Sequence, residues 1–467
     1  MVMTNVKIDS GPRAQGKPVE LDADAPFRIA ILGDFSGRAN RKMTGPLRSI
    51  EIDPSNFEDV MQRLNVALDL PAGSLQFREL DDFHPDQLYQ NLPLFEKIRE
   101  AKKQASRPGA FRPAAAAFAP PAAPPSAGAS LLDQIVEQSS PEPARASARP
   151  ESGWEQAIRK IAARHAVPGR DPRQEEALAL LDQTAAAEMR AILSHPDFQA
   201  IEAAWRSLFF FFRYVETGVE LRVELIDVSR GELYDKLPEL QRIFADAAPG
   251  EPKWSAIVGL FTFSPCGPDC ELLARLGRLA RMSGAPFLSS IDGRLFGCES
   301  IAAAPDPDDW TTPLEEEHRK AWARLRQSED ASWIGLAFPR FLLRLPYGKA
   351  TSAIDSFDFE EMPEPAHDRY LWGNAAIACA TLLGQEFNRQ GWEMRARSMA
   401  QIDGLPLHTP PGRDATPPAE IWMTERLAGR IAEAGVMPLA SMKHSDAILL
   451  VRFQSIADPA QPLSGPW

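Results

Sequence analysis

The chain has 467 residues, 44% of them hydrophobic, and a formal net charge of −13. That length can bury a sizeable core over two or three domains, and so negative a field argues against a broad nucleic-acid-binding face. No apolar run approaches the roughly 18–20 residues that span a bilayer, and the opening MVMTNVKIDSGPRAQGKPVE lacks the apolar centre of a secretory signal, so a cytoplasmic protein without membrane insertion is expected.

Residues 1–20 are polar and read as a flexible tail, and 21–105 read as a compact α/β block. The run FRIAILG predicts a strand, and GDFSGR after it has the look of a phosphate loop. The glycines are wrongly spaced for G-x-x-x-x-G-K-[ST], Arg38 is followed by Ala39, and Asp34 places a negative charge where phosphate oxygens would sit. A strand-to-loop turn is therefore expected, with no cofactor. In PSNFEDVMQRLNVAL, Phe57, Val60, Met61 and Leu64 recur at helical spacing behind a Ser55 or Asn56 cap. SLQFREL reads as a further apolar segment, and HPDQLYQNLPLFEKIREAKKQ as another helix.

Residues 106–150 read as a linker. Between Ser106 and Gly128, 15 of 23 positions are Ala or Pro, which rules out a continuous helix and leaves little to bury. Inside it, SLLDQIVEQSS carries Leu131, Leu132, Ile135 and Val136 on one stripe of a short amphipathic helix at 130–138, capped by Ser130. A helix of that length is unstable alone in water. It suits either a partner's groove or the chain's own C-terminal block.

From 151 to 467 the pattern is globular again. A long helical stretch through HPDFQAIEAAWRSLFFFFRYV precedes the alternating VELRVELIDV, a strand. SAIVGLFTF, a continuous apolar run, predicts a strand buried on both faces. A helix in DCELLARLGRLARMSG, then APFLSSI, WIGLAFPRFLLRLPYG and YLWGNAAIACATLLGQEF continue an α/β rhythm.

Chemistry is sparse. Cys266 and Cys270 in CGPDC could seat two metal ligands, yet Cys298 and Cys379 supply no matching pair, and a structural turn is the plainer reading. His84 and His195 each open HPD, a helix-start context that suits capping better than catalysis. No nucleophile elbow or H-E-x-x-H is present, so catalytic, cofactor and metal residues are all expected to be none. Arg340 and Arg344 lie among bulky apolar groups and require a carboxylate or carbonyl partner. Glu329 and Asp330 are the nearby candidates, for an internal ion pair or one between subunits.

The segments HPDFQAIEAAWRSL, ELIDVSRGEL, LARMSGAPFLSS, RQSEDASWIGLAFPRFLLRLPYG, FDFEE and YLWGNAAIACA, in that order, resemble the large subunit of type VI secretion sheaths, TssC or VipB. ILGDFSGR, EIDPSNFEDVM and FRELDDFHPDQL resemble the small subunit, TssB or VipA. The resemblance implies a mixed α/β (α+β) fold of two sheath-subunit-like blocks, 21–105 and 151–467, fused through the Ala/Pro-rich linker. It implies a non-enzymatic contractile-sheath component, with sheath subunits, an Hcp tube, baseplate proteins and a ClpV-like AAA+ ATPase as partners. Leu131, Leu132, Ile135 and Val136 would be the contacts of the ATPase-binding helix. The large-subunit resemblance runs through 437–459, short of the family's full extent, so a C-terminally truncated block is expected. That favours an accessory or sheath-end subunit, or alternatively a soluble adaptor that presents the helix without entering a sheath.

Overall fold

The computed structural model describes residues 25–106, 172–245 and 253–467, apart from 299, 311, 396–399 and 444. The first half begins with the expected strand, β1 (Phe27–Gly33), which is buried on both faces. β2 (Ser49–Glu51) and the helix Phe57–Leu64 follow. That helix stops earlier than its periodicity suggests, because Asn65 turns left-handed at φ 50° and the next residues pair as a hairpin. The hairpin joins β3 (Val66–Leu70) to β4 (Gly73–Phe77). The expected single helix over 84–104 is two, Pro85–Asn91 and Pro93–Ala105, because Pro93 has no N–H to continue the first.

The second half opens with the helices Pro172–Leu193 and Pro196–Tyr214, broken in the same way at Pro196. β5 (Leu221–Asp227), β6 (Ala256–Phe263), β7 (Phe287–Ile291) and β8 (Ile334–Phe338) alternate with the helices Leu233–Phe244, Gly267–Ser283 and Glu316–Arg326. A small pair, β9 (Phe341–Leu342) with β10 (Trp372–Gly373), leads into the helix Ala375–Gln390. β11 (Ala400–Ile402), the helix Glu425–Glu433, β12 (Met437–Ser441) and β13 (Ile448–Leu450) complete the order.

Nine strands form one mixed sheet in the order β11-β13-β12-β8-β7-β6-β1-β5-β2. β1 lies between β5 and β6 and is parallel to both, with Phe27 opposite Leu221 and Ile29 opposite Ala256. β2 pairs antiparallel with the other edge of β5, so strands of the first half hold β5 on both sides. The alternation of β1 sends Ile29 and Ile31 to one face and Ala30 and Leu32 to the other. The first face is covered by the helices Phe57–Leu64, Pro196–Tyr214 and Ala375–Gln390, in a core to which both halves contribute. The second is covered by the helices at 233–244, 267–283, 316–326 and 425–433. Phe27, Phe35, Phe77 and Phe83 are fully buried, each stabilising the joint core by about 1.5–3 kcal/mol relative to exposure.

Candidate functional site: the seam between the two halves

The loop after β1 closes on itself. The Asp34 carboxylate accepts from the N–H groups of Gly37 (2.8 Å), Arg38 (2.6 Å) and Ala39 (2.8 Å), the donors a phosphate would need. Gly37 sits at φ 82°, and a Cβ there would lie 2.2 Å from the Ala67 carbonyl oxygen, so only glycine fits. The loop is a structural turn whose outward groups are aimed at the second half.

Those groups meet the end of β5. Asp227 accepts from the N–H groups of Phe35 (2.9 Å) and Ser36 (3.1 Å) and from the Ser36 hydroxyl (2.7 Å). Burial pushes its carboxyl up, and the bonds from Ser36 and Phe35 restrain that shift. Arg38 donates from Nε to Glu232 Oε2 (2.9 Å) and from Nη2 to Oε1 (2.8 Å), a planar two-pronged pair. Its hydrogen bond holds the Glu232 carboxyl down at about 2. Glu232 also accepts from Ser229 N–H and hydroxyl, so its own turn orients it. Trp205 donates its indole N–H to the Phe35 carbonyl (2.8 Å) and packs edge-on against Phe35 and Phe57.

A second set of contacts lies at the first half's helices. Asp86 accepts from the N–H groups of Asp355 (3.0 Å) and Ser356 (2.9 Å). Burial alone would raise its carboxyl, but the bonds from Ser356 and Asp355 leave it lowered. Tyr89 packs on Phe357 at 4.9 Å, and Lys102 pairs with Asp182 at 2.6 Å. Gln174 donates to the Ala105 carbonyl at 2.5 Å, so the chain leaves the first half and enters the second at one place. His84 and His195 both cap helices, each accepting through Nδ1 from the N–H two residues on, at 3.2 and 3.3 Å.

Arg340 and Arg344 take partners other than the expected Glu329 and Asp330. Glu329 and Asp330 lie in the turn before β8, and the arginines lie beyond its other end; a five-residue strand separates them by roughly 17 Å. Asp330 instead pairs with Arg281 at 2.6 Å. Arg340 pairs with Glu420 at 2.7 Å. Arg344 forks between Glu202 (2.8 Å) and Glu361 (2.8 Å), two buried carboxylates of the same chain, and Arg206 also reaches Glu202. Burial would raise the Glu202 carboxyl, yet Arg344 and Arg206 hold it below its ordinary value. Sequence reasoning missed Asp227, Glu232, Glu202 and Glu361 as partners. The signal for the first two was their place in ELIDVSRGEL, one of the sheath-like segments.

Among the described residues no group of three or more His, Cys, Asp and Glu side chains is placed to hold a metal ion. Cys266 stands at the N-cap position of the Gly267–Ser283 helix without a side-chain cap bond, and burial pushes the Cys270 thiol up to about 12. No helix of the described residues is long and apolar enough to cross a membrane. Leu131, Leu132, Ile135 and Val136 lie outside the described residues.

The seam thus joins ILGDFSGR to ELIDVSRGEL and the HPDQL helix to the stretch before FDFEE, the segments that resemble the two sheath subunits. The class this defines is a tail-sheath protein whose two subunit types are carried on one chain. Residues 175–457 match the VipB family, described as the tail sheath N-terminal domain, and the chain belongs to that family. Residues 5–107 match the VipA family of the type VI secretion system. A curated relative, the type VI secretion system sheath protein TssC1 of Pseudomonas aeruginosa strain PAO1, is 33% identical over 309 residues, covering 62% of each chain. The chain therefore spans less than two thirds of that relative's length.

Proposed function

We propose that the protein is a non-enzymatic, cytoplasmic structural component of a type VI secretion apparatus, a small–large sheath pair held at one-to-one ratio by fusion. The observation that carries this is the placing of β1 and β2 on both edges of β5, locked by the Arg38–Glu232 pair. Neither half has a complete sheet without the other. Sheath subunits, an Hcp tube and baseplate proteins are its proposed partners, and an accessory or sheath-end position is its proposed place. The test is to tag the full chain in its native host, isolate sheaths by ultracentrifugation and follow secretion in a deletion strain. Recovery in the sheath fraction with altered sheath assembly is expected. Absence from that fraction together with unchanged sheath assembly and secretion would overturn the proposal.

A second reading is favoured by one observation. Because Ala105 and Gln174 touch, a few residues would have joined the halves, and the far longer stretch 107–171 serves something other than reach. Display of the 130–138 segment to a ClpV-like AAA+ ATPase fits that surplus. Changing Leu132 and Ile135 to Asp should abolish ATPase binding with the fold intact; undiminished binding would refute the adaptor role.

A further inference from the structure

A cavity of about 360 Å³ opens beside the carboxyl ends of the parallel strands β6 and β8. Open α/β sheets take their ligands at that end of their strands, and this volume suits a small one. One wall is a stripe of the Pro196–Tyr214 helix, made by Gln199, Ala200, Ala203, Ala204 and Ser207. Its three alanines leave the space unfilled. Trp372, Tyr370 and Leu260 supply the rest of the apolar lining.

Three polar groups in the lining lack partners they could take. Ser207 is 1% exposed, and its hydroxyl makes no hydrogen bond to another described residue. Thr184 and Thr381, also inside helices, bond back to the carbonyls of Leu180 (2.9 Å) and Ile377 (2.8 Å). Buried hydroxyls are ordinarily paired, so one that faces a cavity calls for an occupant. Arg340 is anchored by Glu420, which accepts from its backbone N–H (2.8 Å), Nε (3.2 Å) and Nη2 (2.7 Å), leaving Nη1 over. Glu420 holds a left-handed backbone at φ 49°, strain of a kind that collects at functional sites. Asp368, exposed, makes no hydrogen bond or ion pair among the described residues. Arg340 and Asp368 both lie close enough to the His367 ring to act on its charge, so the cation and the anion are neighbours.

We propose that this cavity binds a free α-amino acid with a large apolar side chain. Its carboxylate accepts from Nη1 of Arg340, with the Ser207 hydroxyl as a second donor, and its ammonium donates to Asp368. Its side chain lies between the Trp372 ring and the alanines. Glu420 offsets the Arg340 charge without covering Nη1, so the carboxylate meets an oriented donor and the ammonium meets an unpaired acid. A simple anion would face Asp368 as like charge, and a simple amine would leave Nη1 unmet; a zwitterion answers both. The inference goes beyond the sheath-component reading and does not depend on it.

The experiment is isothermal titration calorimetry of the purified full chain with leucine, phenylalanine and tryptophan. Two analogues of phenylalanine, phenethylamine and 3-phenylpropionate, each lack one charged end. At least one amino acid is expected to bind with a sub-millimolar Kd. Phenethylamine and 3-phenylpropionate should bind roughly tenfold or more weakly than phenylalanine, the scale of one charge-assisted contact. Asp368→Asn should weaken the amino acid by a similar factor and leave 3-phenylpropionate no weaker. Because Asp368 is exposed, that change reads the site without disturbing the core. Ala203→Phe should fill the cavity and abolish binding, with circular dichroism reporting the fold. No heat from any of the three amino acids at millimolar concentration overturns the inference. So does an analogue that matches phenylalanine, or binding untouched by both substitutions. The sheath-fraction experiment decides the structural role separately.

Discussion

Arg38 and Glu232 form a two-pronged ion pair across the seam, with N–O distances of 2.9 and 2.8 Å, joining a loop of the first half to the turn after β5. The pair makes the union of the halves acid-sensitive. Glu232 titrates at about 2 in the fold against an ordinary 4.5. Its contribution is complete above the ordinary value and is lost as pH falls from there towards 2. Asp227 acts in the opposite sense: burial raises its carboxyl, so what it contributes is complete below its ordinary value of 3.8 and is lost as pH rises from there through the raised value. The steeper loss belongs to Glu232. Urea midpoints measured from pH 7 down to 3 should fall below about 4.5 in wild type, and Glu232→Gln should flatten that fall. An unchanged slope in the variant would remove the pair from the account.

Contact between Ala105 and Gln174 makes the covalent link between the halves dispensable once they have folded. A site-specific protease sequence placed within 107–171 allows the chain to be cut there. The two fragments should co-elute as one particle, because β1 stays paired along both of its edges. Closing so long a loop costs about 4 kcal/mol of chain entropy, so tethering chiefly raises the effective concentration of the halves. Dilution after cutting should separate them where the uncut chain does not. Immediate separation at micromolar concentration would mean that the tether, not the sheet, holds the halves together.

Trp205 tests the polar part of the same seam. Its indole N–H supplies a hydrogen bond to a buried carbonyl, that of Phe35. Trp205→Phe keeps most of the ring packing but leaves that oxygen unpaired, at a cost of about 1–3 kcal/mol. Chemical denaturation followed by far-ultraviolet circular dichroism would read this directly; a loss under half a kcal/mol would show that the oxygen finds another donor.

Local pattern carried the elements well and their partners poorly. The apolar run of FRIAILG and the alternation before Asp227 identified β1 and β5, since burial on two faces or one leaves its period in the chain. Helix ends were harder: Asn65 and Pro93 interrupted patterns that remained apolar beyond them. That β1 sits between two strands of the other half is a non-local pairing, and neither strand's own period encodes its neighbour. The same holds for Arg344. Its bulky surroundings announced a need for a carboxylate or carbonyl partner, but Glu202 is 142 positions away in the chain, and the near candidates lay past the far end of a strand.

That arginine supplies the last prediction. Glu202 is fully buried and depends on Arg344 and Arg206 for its charge, and Glu361 lies on the other prong of Arg344 while accepting from the Tyr347 N–H at 2.7 Å. Two arginines against two carboxylates leave the cluster neutral. Arg344→Met strands Glu361 and halves the support of Glu202, which should cost about 3–5 kcal/mol. Arg344→Lys keeps the charge but loses the planar fork that serves two acceptors at once, so it should fall between Met and wild type. Adding Glu361→Gln to Arg344→Met removes the stranded charge and should recover part of the loss. The urea midpoints of these chains order them: wild type first, the Lys variant and the double variant next in either order, and Met last. If Arg344→Met matched wild type, the four groups would not act as a buried unit.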